Sequence, residues 1–119
     1  MNNIKIEKSW WEQSNDCLYL QCSIDDKLIN LIFPKVLIED IFYATFSYEK
    51  EDLEKAKNKV ITVIETKDKK LGYFIEEALK DQTVKKQLTQ AKVGQFNIKR
   101  KHFYSHTNSN GIEICKDYR

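Results

Sequence analysis

CLYLQCSI (residues 17–24) and LINLIF (residues 28–33), linked through Asp25, Asp26 and Lys27, decide the fold of this 119-residue chain. In the first stretch Leu18, Leu20, Cys22 and Ile24 alternate with Tyr19, Gln21 and Ser23, the period of two that marks a half-buried strand. LINLIF is apolar on both parities except at Asn30, the pattern of a central strand covered on both sides. The polar break between them has hairpin length, so the two strands are read as antiparallel neighbours.

Moving toward the C-terminus, Pro34 stands where a helix can begin, because its missing N–H costs nothing in a first turn. Val36, Leu37, Ile41, Phe42 and Phe46 then give an apolar face, with Glu39 and Asp40 opposite. Ser47 is the expected cap of a longer helix over residues 50–67, whose first turn holds Glu51 and Asp52, the charge a helix N-terminus favours. Leu53, Ala56, Val60, Val63 and Ile64 recur along it at helical spacing. Past a charged joint at residues 67–70, residues 73–80 read as a short helix. Asp81 caps another, carrying Val84, Leu88 and Ala91, with Gly94 as its stop. Residues 96–107 look extended, Asn108, Ser109, Asn110 and Gly111 form a turn, and residues 112–118 return as a strand. In the other direction, residues 4–6 form a short edge strand with Trp10 and Trp11 packed beside it, as core or groove lining ahead of a ligand platform.

The expected fold is therefore α+β: one domain over residues 1–119, with a small antiparallel sheet packed against helices. Residues 17–67 form its strand–strand–helix–helix core, and residues 95–119 a C-terminal β-hairpin. The length suits one domain, since natural domains cluster at roughly 100–150 residues. Its 41% apolar and 32% charged residues are a globular balance rather than a disordered one.

Residues 18–42, LYLQCSIDDKLINLIFPKVLIEDIF, resemble a pattern found in a small bacterial family, the domain of unknown function 1488. That family has a strand, a polar turn, a second strand, and a helix bearing a leucine, an acid, a further acid or polar residue, and a phenylalanine. Ile38, Glu39, Asp40, Ile41 and Phe42 would occupy this helical signature, and the helix over residues 50–67 would match the long helix after it. The resemblance implies an α+β fold and brings no activity with it.

Signals for chemistry are sparse. With three glycines in the chain, a phosphate-cradling glycine loop is excluded, and neither a nucleotide-binding fingerprint nor a nucleophile elbow is present. Asp25 with Asp26, and Glu39 with Asp40, are adjacent in sequence and so diverge, which does not make an acid–base dyad. His102 and His106 stand four residues apart, a metal-binding spacing on a helix if Cys115 or Asp117 came near, or else surface histidines on a polar hairpin. Cys17 and Cys22 have opposite strand parity and cannot form an easy local bridge. With Cys115 they read as small buried hydrophobes in a reducing compartment. No enzyme activity, cofactor or metal is expected.

The N-terminus has no apolar run of the secretory kind, and the longest uncharged stretch, residues 28–34, is far short of the ~20 apolar residues that span a bilayer. A cytoplasmic protein with no membrane partner is expected. Charge is uneven: residues 1–91 hold 14 Lys/Arg and 16 Asp/Glu, whereas residues 92–119 hold six and two. In this basic end Lys99, Arg100, Lys101 and His102 are interleaved with Phe103 and Tyr104, and Lys116 and Arg119 return alongside. Cations mixed with stacking rings suit single-stranded nucleic acid. Arg, Tyr and Phe also suit a protein interface, and edge lysines that block sheet-to-sheet pairing explain the same residues. The leading expectation is a non-enzymatic module that occupies a protein partner, of inhibitor or immunity type. A nucleic-acid-binding protein using the same hairpin is the alternative.

Overall fold

The computed structural model of the chain describes residues 4–42, 44–66, 71–107 and 113–115, with backbone alone at residues 66, 104–107 and 113–115. Strands β1 (Ile4–Glu12), β2 (Cys17–Ile24) and β3 (Lys27–Pro34) precede helices α1 (Lys35–Phe42), α2 (Lys50–Thr66), α3 (Leu71–Lys80) and α4 (Gln82–Gln90). Strand β4 (Val93–Asn97) and a 3₁₀ turn over Arg100–Phe103 follow. Two short strands, β5 (Tyr104–Thr107) and β6 (Glu113–Cys115), pair antiparallel. The expected turn at residues 108–111 lies outside the described residues.

The two deciding strands pair as their patterns require, and more tightly. Lys27 already pairs with Ile24, so the turn has two residues and Asp25 takes φ 54°. Aspartate is one of the few non-glycine residues that tolerate this left-handed region. The first strand is also longer than three residues. β1 runs beside β2 for nine residues, with a register shift between Ile6 and Lys8 that keeps Ile4, Ile6 and Trp11 on the helix side.

The sheet has the order β1-β2-β3-β4 and is mixed rather than purely antiparallel, because β4 pairs parallel to β3. A parallel neighbour needs a long crossover. Helices α1–α4 supply it, carrying the chain from Pro34 back to Val93. Gly94 accordingly does not stop a helix. It lies within β4, opposite Ile29. The preceding helix ends at Ala91, whose N–H reaches Gln87 O, and Lys92 turns the chain with φ 65°.

All four helices contribute to one core on one face of the sheet. Leu18, Leu20, Cys22, Ile29, Leu31 and Phe33 meet Ile38, Ile41, Val60, Ile64, Phe74, Ile75 and Val84 there. Trp11 joins them, its Nε1 donating to Leu53 O (3.0 Å) and its ring edge-on to Phe46. Asp81 caps α4 as expected, accepting the Val84 N–H. Ser47 lies two residues ahead of its expected role. Its Oγ accepts the Glu49 N–H, while the Asp52 carboxylate takes both the N–H and the O–H of Ser47. Those bonds hold the Asp52 carboxyl below the ordinary carboxylate range.

β3 is central, as its composition requires, but the helices cover only one of its faces. Ile32 is just 6% exposed and yet stands outside the main core cluster, between Tyr19 and Asn97 on the far face. Cys17 and Cys22 are buried, unbridged and on opposite faces. Burial, reinforced by Glu65, pushes the Cys22 thiol up to about 12, so it is no nucleophile.

Candidate functional site

The outer face of the sheet, with no helix on it among the described residues, follows from the alternation of the same strands. Registers Trp10↔Tyr19, Gln21↔Asn30 and Asn30↔Gln95 bring these side chains side by side across all four strands. Trp10 stacks on Tyr19 with ring centroids 5.1 Å apart and planes 17° from parallel. Lys8 Nζ lies 5.6 Å from the Trp10 ring centroid, and Asn15 Nδ2 donates to the Tyr19 hydroxyl (2.7 Å). Next to the rings runs a row of carboxamides. Gln21 Nε2 donates to Asn30 Oδ1 (3.1 Å) and Asn30 Nδ2 donates to Gln95 Oε1 (3.3 Å).

That row explains the one polar residue in LINLIF. Asn30 is 6% exposed, and a buried amide is tolerated only with its bonds made. It also leaves the Gln95 Nε2 donor free at the β4 end. Charged residues stand at the β1 margin, where Glu7 accepts from Ser23 Oγ (2.7 Å) and pairs with Lys5 (3.4 Å). These contacts hold the Glu7 carboxyl low, Ser23 chiefly.

A second feature adjoins the free end of the row. A cleft of about 370 Å³ opens between the α3–α4 junction and β4, lined by Glu77, Lys80, Asp81, Thr83, Gln95, Phe96, Asn97, Lys99, Lys101 and His102. The β4 edge beside it is blunted by α4, since Gln87 Oε1 accepts the Gln95 N–H (2.7 Å).

The basic segment is built differently from the expected strand. Ile98 N–H reaches back to Ile32 O (2.8 Å), and the chain then curls into the 3₁₀ turn. Lys99 and His102 close that turn reciprocally. The His102 N–H donates to Lys99 O (3.0 Å) and the Lys99 N–H donates to His102 Nδ1 (2.8 Å). His102 is 4% exposed, with its ring 5.3 Å from Phe96, and is not a surface histidine. Phe103 is 2% exposed, wedged against Phe33 and Phe74 at centroid distances of 6.2 and 5.4 Å. Phe103 is therefore withdrawn into the core and His102 onto the wall of the cleft, because the turn replaces strand alternation and rotates them inward.

Lys99, Arg100 and Lys101 are exposed, but Arg100 is held to Asp40 of α1 (2.8 Å). Of the expected residues whose side chains are described, Lys99 and Lys101 share the cleft with His102. The side chain of Tyr104, and all of Lys116 and Arg119, lie outside the described residues, as do the side chains of His106 and Cys115 and all of Asp117. Sequence reasoning placed Trp10 in a core or groove ahead of a ligand platform, and passed over Tyr19, Gln21, Asn30 and Gln95. The signal was there for three of them: Tyr19 and Gln21 on the outer parity of β2, and Asn30 interrupting an apolar run.

Burial pushes the His102 imidazole below its ordinary value, and Lys101 beside it adds to this, with Glu77 opposing. Accepting the Lys99 N–H also requires Nδ1 to be unprotonated. The folded state therefore disfavours a proton that the unfolded chain takes up near pH ~6.5. His102 should contribute stability that is complete above pH ~6.5 and is lost as the pH falls through its lower folded value. Urea midpoints at about pH 7.5, 6.5 and 5.5 should decline with acidification, above the range where carboxylates titrate. His102→Gln should flatten that decline, and an unchanged slope in the variant would remove His102 as its source.

No family model, curated protein or solved structure matches the chain. The fold and site define an α+β domain, a mixed four-stranded sheet with helices on one face and an aromatic–carboxamide platform on the other. Among the described residues no helix is long and apolar enough to cross a membrane.

Proposed function

We propose that the chain is a non-enzymatic binding module that occupies a surface of a protein partner, in the manner of an inhibitor or immunity protein, through the outer face of its sheet. One observation carries this reading: the stacked Trp10–Tyr19 pair beside the bonded row Gln21–Asn30–Gln95. Trp and Tyr dominate binding hot spots, and interface centres are depleted in charge with polar groups at the rim. This face has that anatomy. Its centre holds rings, amides and Ile32, and Lys5, Glu7 and Lys8 stand at the margin.

The matching partner presents aliphatic groups to the rings and peptide-like donors and acceptors to the free ends of the amide row. A nucleic-acid surface would need cations spread along a backbone track. Here the exposed cations of residues 99–101 sit beyond the β4 edge. Buried, unbridged Cys17 and Cys22 support action in the reducing cytoplasm. The kinship of residues 18–67 with the domain of unknown function 1488 family is likewise a proposal, one of ancestry without activity.

The test compares proteins retained from cells by the wild-type chain, by Trp10→Ala/Tyr19→Ala, and by Lys99→Ala/Arg100→Ala/Lys101→Ala. A partner lost with the first variant and kept with the second is the expected result. The reading falls if the second variant loses the bound material, and that material is nucleic acid whose affinity drops by orders of magnitude between about 50 and 200 mM salt.

A further inference from the structure

We propose that the cleft between the α3–α4 junction and β4 is a binding site for a phosphate group carried by a small molecule. Its central group is His102. The side chain is almost wholly buried, and its Nδ1 accepts the Lys99 N–H, so the neutral ring carries its proton on Nε2. That Nε2–H has no partner among the described residues. Since no buried side-chain nitrogen or oxygen is left unpaired among the described residues, Nε2 keeps access to solvent, and His102 lines the cleft. A donor held in place by its own backbone on the wall of a cavity is a prepared anion contact.

The other lining groups agree in chemistry. Gln95 brings the free Nε2 at the end of the carboxamide row, and Thr83 brings a hydroxyl. Lys80 comes from the end of α3 and Lys99 and Lys101 from the turn after β4, and among the described residues none is ion-paired. Of the two carboxylates present, Asp81 is committed to the Val84 N–H at the α4 cap. Asp81 keeps its negative charge at that cap and opposes an anion, as does Glu77, which makes no ion pair among the described residues.

Three ammonium groups and three neutral donors exceed what the two oxygens of a carboxylate accept, which is about four bonds. They suit the three terminal oxygens of a phosphate, which carries roughly −1.5 to −2 of charge at neutral pH. The cleft also has room for an organic group beside the Phe96 ring. This site shares Gln95 with the sheet face but stands on His102, Thr83 and the lysines, and so survives the failure of the sheet-face reading.

The experiment titrates the intact chain with inorganic phosphate and, separately, with acetate at about pH 7.5, following backbone amide and histidine ring resonances by NMR. Saturable shifts confined to residues around Thr83, Gln95 and Lys99–His102 are expected, with Kd in the millimolar range typical of a bare fragment and acetate weaker. Lys99→Ala/Lys101→Ala should weaken phosphate about tenfold or more, through the loss of two charge-assisted contacts. Glu77→Gln, which removes an opposing charge without touching the fold's core, should tighten it. Absence of saturation, acetate binding tighter than phosphate, or weaker phosphate binding in Glu77→Gln would each overturn the proposal.

Discussion

Phe103→Ala should unfold at a much lower denaturant concentration than the wild type, by about 3–5 kcal/mol, the usual cost of truncating a buried phenylalanine. The ring packs against two other phenylalanines. Phe33 and Phe74 meet at 6.1 Å with planes 61° apart, and Phe103 closes against both. These are tilted and edge-to-face geometries, which add to the burial of area. Phe33 is anchored in the central strand and Phe74 in α3, both fully buried, so neither can move far to fill the hole.

The loss would consume much of the ~5–15 kcal/mol that holds a typical domain folded. Urea unfolding followed by far-UV circular dichroism is the measurement. Had Phe103 stood on a projecting hairpin, its removal would weaken partner binding and leave the midpoint unchanged. An unchanged midpoint in Phe103→Ala would therefore contradict the buried placement, and Phe103→Leu should fall between the two.

Gly94→Val should be the second large loss, and here the mechanism is crowding. The first atom of any side chain at Gly94 would lie 2.8 Å from Val84 Cγ1, 3.6 Å from Leu88 Cγ and 3.7 Å from Ile29 Cγ1. Val84 is fully buried, so α4 must retreat from the sheet as a body. Overpacking of this kind costs about 1–3 kcal/mol or more, and a β-branched side chain is its severe case. The retreat would also stretch the bond from the Gln95 N–H to Gln87 and widen the cleft beside it. Gly94→Ala should cost less, because it adds a single methyl at the crowded site and no branch beyond it.

Gly72 supplies the contrast within the same molecule. A methyl there would meet only Ile4 Cδ1, at an ordinary 3.8 Å, on the first turn of α3. Gly72→Ala should therefore stabilise by up to about 1 kcal/mol through helix propensity. A double-mutant cycle of Gly94→Ala with Val84→Ala isolates the contact, and the pair should lose less than the sum of the single changes. Strict additivity would show that the two positions do not press on one another.

The strand pair over residues 17–34, the Asp81 cap of α4, the core face of α2 and the inertness of Cys22 were legible in the sequence. Each depends on residues near one another in the chain. Period-two alternation sets which side chains of β2 share a face, helical spacing marks Leu53, Ala56, Val60 and Val63, and Asp81 finds its N–H three residues on. What the tertiary structure alone decided was where distant segments meet. Residues 93–97 carry no mark of direction, and only the length of the helical crossover makes β4 parallel to β3. Glycine at position 94 could serve a helix stop or a close approach, and the packing of Val84 against β4 selects the second. The same holds for the basic segment, whose letters fit an exposed strand until Lys99 and His102 close a turn and send Phe103 into the core. The platform at Trp10, Tyr19, Gln21, Asn30 and Gln95 likewise exists only once three registers align it. Local periodicity fixes which side chains share a face, whereas a surface assembled from four strands depends on how those strands are ordered.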